Sequence, residues 1–365
     1  MIETDTSLAP YLLWAKTRQP AAIDLAGSNL LPCSMDDLPG AREAVDLFAP
    51  NDNGYAPVLA AIAAHYGVDA NRIVSGTGCS GANFIAVAAL VAPGDDVLIE
   101  RPAYDPLIGA CRLMGARVHR VDRRAQDAFA IDPDAVRRAM TPRTRLIIVT
   151  SPHNPSGVRI SLNTLRDLTA IAAGTGAHLL VDEVYLEGAC LVAGQILRDF
   201  SAARPAGPVI VTSSLTKSYG LAGLKSGWAI APAATAERMR RARDVIDNAG
   251  SGPSDRLAAH AWSRIDALRE RTRTLLGANV KAAREFFAAH PAYELPEPPG
   301  CSVVFPRIAG LADAELFVQT LLGRGVAVAP GRFFEAPGHF RVSLAGATHV
   351  LEAGLSKLVP PEARA

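Results

Sequence analysis

Between residues 55 and 230 the chain alternates short runs of β-branched and leucine residues with helix-sized segments, and this alternation limits its fold more than any other feature. Val58, Ile62 and Tyr66 recur at helical spacing, and Arg72-Ile73-Val74 then forms a strand-sized run before a glycine cluster. Ala82 to Val91 is apolar and helix-sized, and Pro93-Gly94-Asp95 breaks it before the strand Val97-Leu98-Ile99. Further strand-like runs are Arg117 to Val121, Leu146 to Val149, His178 to Val181, Val209 to Thr212 and Trp228 to Ile230. Leu162, Leu165, Leu168 and Ile171 form the clearest helical stripe. Short β-branched or Leu/Ile runs separated by helices belong to strands covered on both faces. They predict an α/β fold with a mostly parallel seven-stranded sheet, helices on both sides and right-handed crossovers. Ligands of such sheets sit at the carboxyl ends of the strands.

After Pro232 the pattern changes. Ala233 to His290 is Arg/Ala/Leu-rich and helical in period, with a break near Gly250-Ser251-Gly252-Pro253. Strand-like pieces follow at Ser302 to Phe305, Val326 to Val328 and Phe340 to Leu344, which predicts a smaller α+β domain. The expected division is a large domain over 46–245 and a small one over 1–45 and 246–365. With 37 Lys plus Arg against 36 Asp plus Glu, the chain offers no footprint for nucleic acid or an anionic membrane. Five scattered cysteines without a C-x-x-C pair argue for reduced thiols rather than disulfides or structural zinc. The acidic start Met-Ile-Glu-Thr-Asp does not look like an export signal, the longest apolar stretch is too short to span a membrane, and the histidines show no metal-ligand spacing. These features predict a soluble cytoplasmic protein with no metal.

Two signals point to a ligand. Gly76-Thr77-Gly78-Cys79-Ser80-Gly81 is a G-x-G-x-x-G between a strand and a helix, with Glu100 at the end of the next strand, about 20 residues on. That pattern fits a dinucleotide, any phosphorylated ligand held at a helix N-terminus, or a tight turn. The second signal is three segments at strand carboxyl ends: Ser151-Pro152-His153-Asn154-Pro155-Ser156-Gly157, Val181-Asp182-Glu183-Val184-Tyr185 and Ser213-Ser214-Leu215-Thr216-Lys217. An asparagine, an aspartate, a tyrosine and a lysine could converge there on one ligand.

In order and spacing these segments resemble those of the fold-type I pyridoxal 5′-phosphate (PLP) enzymes, specifically the class I/II aminotransferases. The resemblance runs from Ile23-Asp24-Leu25-Ala26-Gly27 to Phe340-Arg341-Val342-Ser343-Leu344. It implies the PLP-dependent transferase-like fold, and it assigns Lys217 as the Schiff-base lysine that moves the proton of the substrate Cα. Asp182 would face the pyridine nitrogen and keep it protonated. Asn154 and Tyr185 would bond the ring O3′, and Tyr104 would stack on the ring. Gly78, Cys79 and Ser80 would give backbone N–H groups to the phosphate, with the Ser214 hydroxyl and Lys225, which stands where the family usually has arginine. The glycine motif then serves PLP, and Glu100 becomes an ordinary strand-end acid. Arg341 would bind the substrate α-carboxylate bidentately, assisted by Asn154 and a Gly27 backbone N–H. Ala49 occupies the place of a tyrosine that often reaches the neighbouring subunit's phosphate; either Tyr55 or Asn53 supplies that contact or it is missing.

The resemblance implies a homodimer that transfers an amino group between an amino acid and a 2-oxo acid. The same scaffold also supports decarboxylation and C–S or β-elimination. A third reading, an aminotransferase-like regulatory domain, ranks last because no basic N-terminal module precedes the match.

Overall fold

The computed structural model describes residues 8–204, 206–295 and 300–358. Its centre is a seven-stranded sheet in the order Ile73–Thr77, Ser226–Ile230, Val209–Ser214, His178–Asp182, Thr144–Thr150, Asp96–Arg101, Arg117–Asp122. Every run expected to be a strand is one. Neighbouring strands pair in parallel except Ser226–Ile230, which is antiparallel to both of its neighbours. The chain explains the exception. Only the short helix Leu215–Tyr219 and one turn separate it from the preceding strand, too little for a parallel crossover, which needs about a dozen residues or more.

Successive residues of each strand alternate between two cores. Ile147, Val149, Leu179, Val181, Val209 and Val211 enter one, packed against the helices Ala56–Tyr66, Leu162–Thr175 and Gly252–Ser263. Leu146, Ile148, Leu180 and Ile210 enter the other, with Ile85, Leu107 and Met239 from the helices Gly78–Leu90, Asp105–Leu113 and Ala233–Ile246. Both faces are dry, as apolar runs without polar alternation require.

The C-terminal part holds a three-stranded antiparallel sheet of Val303–Val304, Phe340–Ser343 and Ala329–Pro330. Ile23–Asp24 pairs in parallel with Val326–Ala327, which ties the N-terminal segment to this part. The helical stretch expected over 233–290 has its break before Gly252 and a second at Arg264, between Gly252–Ser263 and Ile265–Ala289. No glycine or proline marks that second break, and packing accounts for it. Ala258, Ala261, Trp262 and Leu268 belong to the core of the large sheet, whereas Leu276, Val280 and Phe287 pack on Val304, Phe317 and Phe340. The chain changes direction to serve both cores.

Candidate active site

At the carboxyl ends of the parallel strands lies a cavity of about 420 Å³. It is lined by ten residues singled out in the sequence: Gly78, Cys79 and Ser80 at one end, Asn154, Asp182, Tyr185 and Lys217 in the middle, and Tyr104, Ser214 and Lys225 around them. Each position follows from local structure. Asp182 is the last residue of its strand, Ser214 ends its own, and the Ser214 side chain caps the next helix by accepting from Thr216 N. That helix carries Lys217 one turn on.

Lys217 Nζ donates to Ser28 Oγ at 2.8 Å and to Asn29 Oδ1 at 2.7 Å, and it stands 5.8 Å from the centre of the Tyr185 ring. Burial, aided by the Arg341 charge, pushes this amine down to about 7. Asp182 is buried. It accepts from Asn83 Nδ2 at 2.8 Å, Val184 N at 3.1 Å and Cys79 Sγ at 3.4 Å. Thr212 Oγ1 donates to Asn83 Oδ1 at 2.6 Å and so turns the amide nitrogen toward the carboxylate. Burial raises the Asp182 pKa, against these donors and Lys217.

The glycine-rich turn is shaped by contact. Gly78 has φ +70°, and its N–H donates to the Lys225 carbonyl at 2.6 Å. A Cβ on Gly227 would meet the Gly78 carbonyl carbon at 2.2 Å, so glycine lets the strand lie against the helix start. No side chain caps the Gly78–Leu90 helix, whose Cys79 and Ser80 N–H groups lack intrahelical acceptors. Lys225 is exposed beside them. Tyr55 lies outside the cavity and lines an adjoining hollow with Thr77 and Lys225.

Arg341 and Gly27 do not line the cavity. Arg341 is fully buried behind it, with Nη1 donating to Asn154 Oδ1 at 2.7 Å and Nη2 to the Tyr11 hydroxyl at 2.6 Å and the Ala26 carbonyl at 2.9 Å. Its Nε has no partner among the described residues. The Gly27 carbonyl is 3.5 Å from Nη2. Glu100 is also fully buried, accepting from Arg123 Nη1 and Thr150 N at 2.7 Å each, so it holds two strands together and faces no ligand.

The sequence reading missed Asn83, Thr212, Ser28, Asn29 and Tyr11. Asn83 had a signal, as a polar residue inside an apolar helix. The others follow no motif.

The donor set fits PLP. A buried carboxylate whose described hydrogen-bond donors are all neutral suits a protonated ring nitrogen, an uncapped helix start suits a phosphate, and an amine pushed down to about 7 suits an aldehyde. With Asn154 Oδ1 used by Arg341, its amide nitrogen is left to donate to a ring oxygen.

Comparison with known proteins agrees with this geometry. The family model described as aminotransferase class I and II matches residues 35–358. Capreomycidine synthase of Streptomyces vinaceus is 33% identical over 82% of this chain and 77% of its own. Arginine–pyruvate transaminase of Pseudomonas aeruginosa is 30% identical over 78% and 74%. The solved structure of N-succinyldiaminopimelate aminotransferase from Mycobacterium tuberculosis superposes with a TM-score of 0.84 at 28% identity, covering 96% of each chain.

Proposed function

The chain belongs to the class I and II aminotransferases, PLP-dependent enzymes, and on that premise we propose that Lys217 carries the cofactor and Arg341 receives the substrate α-carboxylate. The observation that carries this reading is the convergence of Lys217, Asp182, Asn154 and Tyr185 in one cavity. Bound PLP supplies a conjugated electron sink for the pair left when the Cα–H bond breaks.

Lys217 Nζ, pushed down to about 7, has a large neutral fraction at physiological pH and can accept the Cα proton. Asp182 holds a proton on the ring nitrogen, with Asn83 and Cys79 fixing its two oxygens. Asn154 Nδ2 and the Tyr185 hydroxyl donate to the ring oxygen. Cys79 N, Ser80 N, the Ser214 hydroxyl and Lys225 take the phosphate. Arg341 lies behind the cavity and its Nε has no partner among the described residues, which supports the substrate carboxylate as its acceptor, while Asn154 and Tyr11 hold the guanidinium in place.

The reading extends to a cytoplasmic homodimer. Leu47, Phe48 and Val245 are 89%, 69% and 89% exposed, large apolar side chains that a second copy could cover. All five cysteines are free, as in a reducing compartment. A second reading, a ring-forming reaction, is favoured by the similarity to a solved structure named as a PLP-dependent cyclase, which superposes with a TM-score of 0.82 at 28% identity.

The test follows the visible spectrum of the holoenzyme through both half-reactions. Amino transfer predicts that an amino acid converts the aldehyde form to the amine form and that a 2-oxo acid restores it. Borohydride reduction should label Lys217. If no oxo acid restores the aldehyde form, and carbon dioxide, ammonia or a cyclised product appears instead, amino transfer is wrong.

A further inference from the structure

The cavity has a cation that none of the roles above uses. Lys16 lines it from the N-terminal helix Pro10–Thr17, one turn after Leu12, which also lines it. The helix is held firmly. Tyr11 N donates to Asp105 Oδ2 at 2.6 Å and the Tyr11 hydroxyl donates to the Ala26 carbonyl at 3.0 Å, while Tyr11 and Trp14 pack against Phe334 and Phe333 with ring centres 5.5 and 5.4 Å apart. Because Tyr11 also touches Arg341, this helix borders the site on the substrate side, away from the phosphate end.

Charge accounting then isolates Lys16. Besides Lys16, the ionised side chains lining the cavity are Asp182, Lys217 and Lys225. The first two serve the ring, Lys225 and the helix start serve the phosphate, and Arg341 serves the α-carboxylate. Lys16 makes no hydrogen bond or ion pair with any described residue; Asp24 is paired with Arg18, and Asp105 Oδ2 accepts from Tyr11 N.

We propose that Lys16 is a specificity-determining residue that binds a second carboxylate at the far end of the substrate side chain, so the enzyme takes dicarboxylic amino and oxo acids and disfavours cationic ones. This rests on the amino-transfer reading and deepens it. A single exposed ammonium matches a single elementary charge better than a dianionic phosphate, which at the other end of the site receives a lysine together with a helix N-terminus. The prediction sets this chain apart from its relative named arginine–pyruvate transaminase.

The test measures binding of unreactive acids to the holoenzyme by calorimetry, comparing glutarate with valerate, in the wild type, Lys16→Ala and Lys16→Glu. At low salt glutarate should bind more tightly than valerate. Lys16→Ala should weaken glutarate roughly fivefold and leave valerate unchanged, the scale of one exposed charge pair, and added salt should shrink the difference. In the donor half-reaction, Lys16→Glu should shift preference from glutamate toward arginine. An unchanged glutarate-to-valerate ratio in Lys16→Ala overturns the proposal. Because the ratio comes from binding, a holoenzyme that transaminates no donor still reports on Lys16 while refuting amino transfer.

Discussion

Replacing Asn83 with leucine should slow the enzyme without unfolding it. The change keeps nearly the same volume and removes the amide that donates to Asp182 Oδ2 at 2.8 Å. A hydrogen bond to a buried charge is worth about 1.5–3 kcal/mol, and one pKa unit corresponds to about 1.4 kcal/mol, so the Asp182 pKa should rise by about one to two units. Burial already raises it, and Cys79 and Val184 remain as donors, so the carboxylate is weakened and not lost. The ionised form of Asp182 is the one that holds the ring nitrogen protonated. A higher pKa therefore moves the acid limb of the kcat/KM profile to higher pH, and kcat/KM on that limb should fall about 10- to 100-fold. Rate profiles of the donor half-reaction for both proteins, with thermal melts alongside, measure this. An unmoved acid limb with turnover within about twofold of wild type would refute the assignment of Asn83 as the residue that tunes Asp182.

Glu183 is buried, its carboxylate bonded among the described residues by Ser201 Oγ and Ala202 N, and pushed up to about 8 by desolvation. The folded state therefore binds a proton that the unfolded state releases from about pH 4.5 upward, and stability from this group is lost as pH rises toward 8. Glu183→Gln should remove that dependence, raising the melting temperature at pH 8 more than at pH 5. Lys225→Arg should tighten PLP retention on dialysis by about 1 kcal/mol, since a planar fork suits a phosphate better than a point charge, and equal or weaker retention would count against the Lys225 assignment. Gly227→Ala drives a methyl group into the Gly78 backbone, so it should cost about 1–3 kcal/mol in thermal stability and release the cofactor, measured by melting and by absorbance of the dialysate.

The strands of the large sheet were legible because most have an apolar centre of three or more residues, a pattern that survives without tertiary information; the edge strand Arg117–Asp122, with its alternating Arg, Val and His, was read from its spacing among the others. Lys217, Asp182, Asn154 and Tyr185 were legible because the chemistry of one cofactor fixes both residue type and spacing at strand ends. The direction of Ser226–Ile230 was less visible, since it depends on the length of the preceding connection rather than on the residues of the strand. Asn83 stood out only as one polar residue in an apolar helix, with no motif to tie it to Asp182. Tyr11 and Lys16 reach the site from a helix more than 150 residues away in sequence from Lys217, and no local pattern could have placed them there.

The direction change at Arg264 has a consequence for how the chain acquires its structure. Trp262 lies 5.7 Å from Trp228 and 5.2 Å from His65, ring centre to ring centre, closing a core face whose strands are finished by residue 230. A nascent chain that has emerged only to residue 250 carries every strand of the large sheet and still leaves Trp228 uncovered on one side. It can complete that face only once the helix Gly252–Ser263 has followed. A fragment truncated just after Ile246 should therefore aggregate, and one extended through Leu268 should gain solubility.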